Sequence, residues 1–386
     1  MAECTTGSGS MTIGLDLGDE YTQCCVLDEN GRVVEQGRIR TTPEALKSRF
    51  GSMPRTRIAL EAGVHSAWSS RLLGECGHEV IVANPRKLRL IYKNDQKDDE
   101  VDAENLARVA RLDPQLLYPI QHRSVQTQQD LAVLRARDEM VQARTQLINH
   151  IRGAVKSMGG RIPKMSAEVF GSKAAGSVPE ALKPALGALL SAIQLLTKQI
   201  RQQDQWVQQR AKEGYPQSAA LRQVPGVGPL TSVAYVLTLE DPKRFASSRR
   251  VGAYLGLRPK RATSGASDPQ LRISKAGDGL LRRLLVGSAH YILGPFGPDT
   301  DLRRWGQKIA QRGGKNAKKR AVVAVSRKLA VLLHRLWMTQ EKYDPQRNSK
   351  RKKPGAVAEV LGSPLGCRGG LAGGIAEPKL TEEKSV

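Results

Sequence analysis

Apolar and polar residues alternate in short runs over the first part of the chain. The segments 12–17 (TIGLDL), 21–27 (YTQCCVL) and 32–38 (RVVEQGR) are rich in β-branched and apolar residues and are bounded by turn residues, so they predict three short strands. An Asn30-Gly31 pair, a preferred two-residue hairpin turn, separates the last two strands. The pattern therefore predicts an antiparallel meander at the start of the fold.

Helix and strand patterns then alternate along the chain. A helix is predicted near 43–50, a buried strand over 56–62, a helix over 65–77 and another strand over 79–84. The segment 100–111 has apolar residues at near-helical spacing, with acids early and arginines late, as the helix dipole favours. Three strands followed by alternating helix and strand predict a mixed α/β sheet.

Helical periodicity dominates the middle of the chain. Long helices are predicted over 131–158 and 179–214, where apolar residues form an interrupted stripe, and Gly159, Gly160 and Pro163 break the pattern between them. We expect the two helices to pack as antiparallel coiled-coil arms. Such arms are typical of a spacer or an oligomerisation element.

The last part of the chain is helical and basic to about Tyr343, and the residues beyond it are rich in Gly, Pro and charge without periodicity, which is typical of disorder. The predicted fold class is therefore α/β followed by all-α. We expect a disordered leader, an α/β domain, coiled-coil arms, a mainly helical C-terminal domain and a disordered tail, at 1–10, 11–125, 126–214, 215–343 and 344–386.

Charge narrows the classes of partner. The 386 residues include 61 Lys and Arg against 37 Asp and Glu, and the net charge of +24 points to a polyanion. Between Lys243 and Lys353 there are 28 basic and six acidic residues, so most of the excess lies in the C-terminal region. Aromatic residues are only 4%, too few for single-strand stacking platforms, so contacts with backbone phosphates are expected. A solvated basic surface without a specific partner is the alternative on composition alone.

Cysteine content and hydropathy exclude further classes. Five cysteines without a Cys-x-x-Cys pair argue against a disulfide framework or a zinc site. No apolar run reaches the roughly 18 residues of a membrane span, and the first ten residues lack the basic and apolar regions of a signal peptide. We therefore expect a cytoplasmic protein that does not contact a membrane.

Four carboxylates are candidates for a metal site. Asp16 ends the first predicted strand, Glu61 ends the fourth, and Asp99 and Asp102 share one face at the start of a helix. A helix laid across neighbouring strands could bring all four to one edge of the sheet, where their like charges would require counter-ions. Hard oxygen ligands of this kind hold Mg²⁺ pairs in nucleases and polymerases. Taken singly, each acid has an ordinary role open to it, as a turn cap, an ion-pair partner or a solvated helix start.

Two further segments are candidate nucleic-acid contacts. Ser264 lies in a Gly-Ser loop without a neighbouring histidine, so a Ser-His triad is unsupported, although arginines and a metal from elsewhere could assist a serine against a phosphodiester. The alternative is that Ser264 is simply a turn residue. A tight turn at Gly226 and Gly228 between two helices suits either a phosphate or helix packing. The cations around the serine are Arg258, Lys260, Arg261, Arg272 and Lys275.

Together these segments resemble the bridge-RNA-guided DEDD transposases, the one-ten family of bacterial insertion sequences. The family's Lys-Thr-Asp-x-x-Asp-Ala pattern reads KDDEVDA here, in which Asp102-Ala103 sets a register that favours Asp99. The resemblance covers about 11–340, so Met11 is a candidate start of translation. The matching segments are IGLDLG, ALEAGVHSAW, KDDEVDAENLA, VPGVGPLTSVAYVL, RRVGAYLGLRPKRATSGAS and LRISKAGDGLLRRLL.

The resemblance implies a RuvC-like, RNase H-like N-terminal domain and a C-terminal transposase domain. In such an enzyme Asp16, Glu61, Asp99 and Asp102 would hold Mg²⁺, and Ser264 would attack a DNA phosphate and form a covalent phosphoserine link. A structured noncoding guide RNA would pair with donor and target DNA. The family also implies dimers that pair into tetramers, with one protomer completing the serine site of another, and a bacterial, nucleoid-associated location when bound.

Three rival interpretations remain at this point. A RuvC-like nuclease or resolvase would use water instead of the serine. A basic nucleic-acid-binding scaffold would use the carboxylates only structurally. An actin-like ATPase or sugar kinase would explain the first strands, although the second phosphate turn and the adenosine-binding glycine pair of that family are not found.

Overall fold

A computed structural model describes residues 11–88, 99–269 and 271–351. Its N-terminal part is a five-stranded sheet in the order β3-β2-β1-β4-β5, in which β3, β2 and β1 are antiparallel and β4 and β5 run parallel to β1. The predicted meander and mixed sheet are thus confirmed. The strands are β1 Thr12–Leu17, β2 Tyr21–Leu27, β3 Val33–Arg40, β4 Arg57–Glu61 and β5 Glu79–Ala83.

Alternation of side chains along the strands divides the core between the two faces of the sheet. Ile13, Leu15, Ile58 and Leu60 pack on one face against helices α1 (Pro43–Phe50) and α2 (Ser66–Glu75). The opposite face is covered by helix α4 (Asp99–Leu112), whose buried residues include Ala103, Leu106 and Ala110. A single turn, α3 (Pro85–Leu88), follows β5.

The arms are α5 (Val125–Ser157) and α7 (Lys183–Glu213), with the short α6 (Ala167–Lys173) between them. Arg137 donates to Asp204 at 2.6 Å and Arg144 donates to Thr197 at 3.2 Å, so the two helices run antiparallel as expected. Helix α5 begins six residues before the predicted start at 131. Its first turns are rich in Gln and lack apolar spacing, which hides the helix from a periodicity search.

The C-terminal region is mainly helical, as predicted. Its core surrounds Tyr235, a fully buried residue whose hydroxyl donates to the Ala330 carbonyl at 2.6 Å. A long loop at 255–278 leaves this core between two of the helices. The helices are α8 Ser218–Arg222, α9 Pro229–Leu239, α10 Ser248–Tyr254, α11 Gly279–Leu293, α12 Asp301–Ala310 and α13 Ala317–Thr339.

The ordered fold extends past residue 344, where a disordered tail was expected to begin. A short helix, α14 (Arg347–Arg351), follows, and the Asp301 carboxylate accepts the Asn348 N–H at 2.7 Å. This side-chain contact is non-local, so the local composition of the tail does not reveal it. The expected leader and the remainder of the expected tail lie outside the described residues.

The segment that follows the α/β domain is joined to the C-terminal region by hydrogen bonds between side chains and backbone. Arg123 donates to the Thr238 carbonyl at 2.8 Å, and the Ser124 N–H donates to the Glu240 carboxylate at 2.8 Å. In the part of the chain that the structure covers, the cysteines Cys24, Cys25 and Cys76 are free thiols. None of the helices described there combines the length and apolar character needed to cross a membrane.

Candidate active site

Asp16 and Glu61 lie side by side at the carboxyl ends of two parallel strands. The β1–β4 register pairs Gly14 with Ala59 and Leu15 with Leu60, which makes Asp16 and Glu61 the next neighbours across the ladder. A methyl group on Gly14 would meet helix α4, so Gly14 and, two residues on, Asp16 face that helix. Ala59 is buried on the same face, and Glu61 therefore faces α4 as well.

Helix α4 runs antiparallel to β1, so its first turn lies above these two carboxylates. Arg57, the first residue of β4, donates to the Ala110 carbonyl at 3.4 Å, which places the end of the helix over the start of the strands. Ala103 lies over Gly14. Asp99 precedes Ala103 by about 6 Å along the helix, and Asp16 follows Gly14 by about 7 Å along the strand. Asp99 and Asp16 are thus at the same level of the two elements.

These carboxylates fit a divalent cation by their chemistry. Asp16, Glu61 and Asp102 are each partly exposed, and carboxylate oxygens are hard ligands that suit Mg²⁺. Among the side chains that the structure describes, which do not include that of Asp99, no three acidic, His or Cys residues already form a metal-holding group. Lys97 and Asp98 of the predicted motif also lie outside that part of the chain.

A chain of side-chain contacts that the sequence did not predict connects the loops after the two strands that carry Asp16 and Glu61. The Trp68 indole N–H donates to His65 Nδ1 at 3.1 Å, and His65 Nε2 contacts the Asp19 carboxylate at 3.3 Å. Because an indole nitrogen only donates, Nδ1 is an acceptor and Nε2 carries the ring proton. The one sequence signal was the His-Ser-Ala-Trp spacing, which puts both rings on one side of a helix start.

A second histidine lies beside the same loop. His122 Nε2 is 3.0 Å from Ser66 Oγ, and that hydroxyl donates to the Gly63 carbonyl at 2.8 Å, so His122 acts as the donor to Ser66. Burial lowers the pKa of His122, and the neighbouring Arg71 and Arg123 lower it further. A neutral imidazole at this position supports the loop that follows Glu61.

The candidate serine lies at the tip of the loop at 255–278. Ser264 and Ser267 exchange backbone hydrogen bonds of 3.2 and 3.0 Å around Gly265, which has a φ of +54°. The stem of the loop is closed where Gly256 and Gly277, both at positive φ, lie against the opposite backbone. A serine hydroxyl is therefore presented on a narrow, exposed projection.

Cations border this projection along both of its sides. Backbone hydrogen bonds from Lys260 to Arg272 and from Ser274 to Arg258, each 2.9 Å long, align the two sides of the loop. Arg258, Lys260, Arg261, Arg272 and Lys275 are all exposed. Arg282 braces the base of the loop by donating to the Leu255 and Ala276 carbonyls. The structure thus places the five predicted cations along the two sides of the loop that carries Ser264 at its tip.

The glycine turn packs against helix α11. A methyl group on Gly226 would lie 2.9 Å from the Tyr291 ring and 3.1 Å from the Ser288 carbonyl, so this glycine allows close helix packing. Gly228 faces open space and caps α9. An open groove of about 750 Å³ follows the turn, with Arg222 and Arg283 in its walls. Both the packing role and the phosphate role considered for this turn are compatible with the geometry.

The two candidate chemistries occupy different parts of the molecule. Asp16 and Glu61 lie in the α/β domain together with the start of α4, whereas Ser264 makes its backbone hydrogen bonds within its own loop in the C-terminal region. The structure therefore assembles the carboxylate edge and the serine loop separately.

Comparison with known proteins gives matches in both parts. A DEDD-type family model described as a transposase matches residues 13–159, which include the four carboxylates. A second model, described as transposase of the IS116/IS110/IS902 family, matches residues 218–298, which include Ser264.

Similar proteins align over most of the chain. The transposase for insertion sequence element IS1111A of Coxiella burnetii is 29% identical over 86% of this chain and 90% of its own length. A probable family 20 transposase of Pseudomonas aeruginosa is 28% identical over 86% of this chain and 98% of its own. The putative transposase y4pF/y4sB of Sinorhizobium fredii is 30% identical over 76% of each chain.

Proposed function

The chain belongs to the IS110/IS116/IS902 family of transposases, enzymes that act on DNA, and from this membership we propose that it cuts and rejoins DNA through a covalent phosphoserine intermediate on Ser264. A structured noncoding RNA guides it to donor and target DNA. Membership in this family excludes two of the rival interpretations, the purely structural scaffold and the actin-like kinase. The water-dependent nuclease remains the second candidate, because it would use the same carboxylates.

The observation that carries the proposal is the placement of Asp16 and Glu61 under the first turn of α4. Two neighbouring carboxylates repel each other without a cation, and the position of Asp16 and Glu61 beneath the helix that begins with Asp99 supports a metal role. Transposases of the DEDD type generally use divalent metal ions. Asp16, Glu61, Asp99 and Asp102 would hold Mg²⁺, which when bound supplies charge neutralisation at a scissile phosphate.

Ser264 performs the bond exchange in this proposal. Its hydroxyl loses a proton as Oγ attacks phosphorus, an Oγ–P ester bond forms, and the bond from phosphorus to a deoxyribose oxygen breaks, so that oxygen leaves as a hydroxyl. A deoxyribose hydroxyl attacking the phosphoserine reverses these changes and releases Ser264. The exposed cations of the loop neutralise the phosphate, and the Gly226–Gly228 turn contacts a backbone phosphate nearby.

The partition of charge supports separate roles for the two halves. The surplus of positive charge between Lys243 and Lys353 suits nucleic acid, whereas the acids lie at the sheet edge. We expect the arms to join protomers into dimers that pair into tetramers, with the carboxylates of one protomer meeting the serine of another. This arrangement accounts for the distance along the chain between Asp16 and Ser264.

Trapping of the covalent link tests the proposal. Wild-type protein mixed with DNA of its element and the guide RNA is expected to show DNA attached to the polypeptide on denaturing electrophoresis, and Ser264→Ala is expected to abolish the adduct completely. Ser267→Ala is the matched control, because Ser267 is an exposed serine in the same turn. Asp16→Asn should prevent the adduct while RNA binding stays nearly intact. A Ser264→Ala protein that still cuts DNA would instead establish hydrolysis by water.

A further inference from the structure

A stretch at 302–340 contains eleven Lys and Arg residues and no Asp or Glu. Several of these cations have structural roles: Arg303 donates to the Ile292 and Gly294 carbonyls, Arg304 and Arg335 form ion pairs, and Lys328 stacks on Trp305. Of the seven others, Arg327 lies against Gly252, and the remaining six are exposed and form no ion pair within the part of the chain described. We call these the α12–α13 patch: Lys308, Arg312, Lys315, Lys318, Lys319 and Arg320.

The charges of α13 are arranged against its own dipole. The first turn contains Lys318, Lys319 and Arg320 and no acid, the side chain of Asn316 does not cap it, and the last turn has no basic residue. A helix dipole favours the opposite arrangement, and mutual repulsion among the patch cations adds to the cost. A local arrangement that opposes stability is typical of a surface kept for binding.

The patch lies on the same side of the C-terminal region as the serine loop. Ser248, at the start of α10, contacts His334 near the end of α13, and Gly252 packs on Arg327 nearer its middle. Helix α10 therefore runs antiparallel to α13, and its end points toward the first turns of α13. The serine loop begins directly after that end, so the start of the loop and the first turns of α13 lie toward the same end of the α10–α13 pair.

We propose that the α12–α13 patch binds the phosphate backbone of the duplex DNA that flanks the phosphate attacked by Ser264. The choice of DNA as the partner of this patch rests on the proposed function. The aromatic residues nearest the patch along the chain are engaged elsewhere, because Lys328 stacks on Trp305 and Trp337 is buried against Tyr235, so neither offers a free stacking platform. Such a surface suits the paired strands of a duplex, whose bases are not available for stacking on side chains.

The test compares two double variants by fluorescence anisotropy with a labelled DNA duplex over a range of salt concentrations. Lys318→Gln/Lys319→Gln should reduce the slope of log affinity against log salt by up to about 2, one for each lost phosphate contact. The control is Lys47→Gln/Arg55→Gln, which removes two exposed cations from the opposite end of the chain and should leave the slope unchanged. In a parallel measurement with the guide RNA, the same variant should reduce the slope by less than it does with the DNA duplex.

Thermal unfolding of the free protein separates loss of binding from loss of fold. Because Lys318 and Lys319 oppose the helix dipole, replacing them is expected to leave the melting temperature unchanged or raise it while DNA binding weakens. The inference would be overturned if the slope for DNA stayed unchanged. It would also be overturned if the slope for RNA fell by as much as the slope for DNA, or by more. Formation of the wild-type covalent adduct is measured alongside, so failure of the proposed function is recognised independently of failure of the patch.

Discussion

Two histidines beside the carboxylate edge have their ring protons assigned by neighbouring groups. Trp68 makes Nδ1 of His65 an acceptor, and Ser66 Oγ accepts a hydrogen bond from the Nε2–H of His122. The first ring joins the loops after β1 and β4, and the second supports the loop after Glu61. Both residues therefore hold the backbone that presents Asp16 and Glu61, without being ligands in the proposed site.

Protonation of His122 should make the fold sensitive to acid. Its pKa in the folded chain lies below the ordinary value of 6.5, so the unfolded chain binds the proton more readily. The associated stability is present above pH 6.5 and is lost as the pH falls through the folded-state pKa. His122→Gln should therefore lose less stability than wild type when urea unfolding is measured on either side of pH 6.5. His150→Gln, at an exposed histidine in α5, should behave like wild type.

At the level of elements, the contact between α4 and β1 sets the geometry of the carboxylate edge. Gly14 has no side chain, and the helix backbone occupies the space that a side chain would need. Arg108 and Arg111 add hydrogen bonds to the Gly31 and Glu29 carbonyls, which hold the end of the helix over the β2–β3 turn. The helix is thereby fixed both in direction and in position along the strand.

Gly14→Ala should displace α4 from the sheet. The added methyl group would lie 1.9 Å from the Ala103 carbonyl oxygen, so we expect a loss of about 1–3 kcal/mol in the free energy of unfolding, as for other overpacked cores. The rate of strand exchange should fall by more than the loss of folded protein explains, because Asp99 and Asp102 move with the helix. Gly37→Ala on edge strand β3 is the control, since nothing lies within 4 Å of its new methyl group. Equal urea midpoints for the two variants would contradict the close contact.

At the scale of the whole molecule, acids and serine lie in different regions joined through the arms. If the carboxylates of one protomer serve the serine of another, two inactive variants should complement each other. A mixture of Asp16→Asn and Ser264→Ala proteins is expected to recover part of the wild-type strand exchange, because mixed oligomers contain one site with both groups intact. Each variant alone should stay inactive. Absence of recovery in verified mixed oligomers would show that each chain uses its own serine and carboxylates.

The sequence alone predicted most elements because their signals are local. Turn residues and alternation place β1, β2 and α1 at their observed bounds, and β3 differs by one residue at its start and two at its end. The start of α5 and the ordered segment after residue 344 were missed. A Gln-rich helical turn has little periodicity, and the contacts of Asp301 with the end of the chain come from residues distant in sequence.

For the candidate site, residue types and their spacing identified the groups that could carry the chemistry: acids at strand ends, a serine among cations, and a basic C-terminal region. The packing of distant segments was needed to show that α4 runs antiparallel to β1, that His65 connects two loops, and which cations of the C-terminal region have structural partners. The reason is physical. Residue type and spacing are properties of a short segment, whereas direction, register and pairing depend on how distant segments share one core.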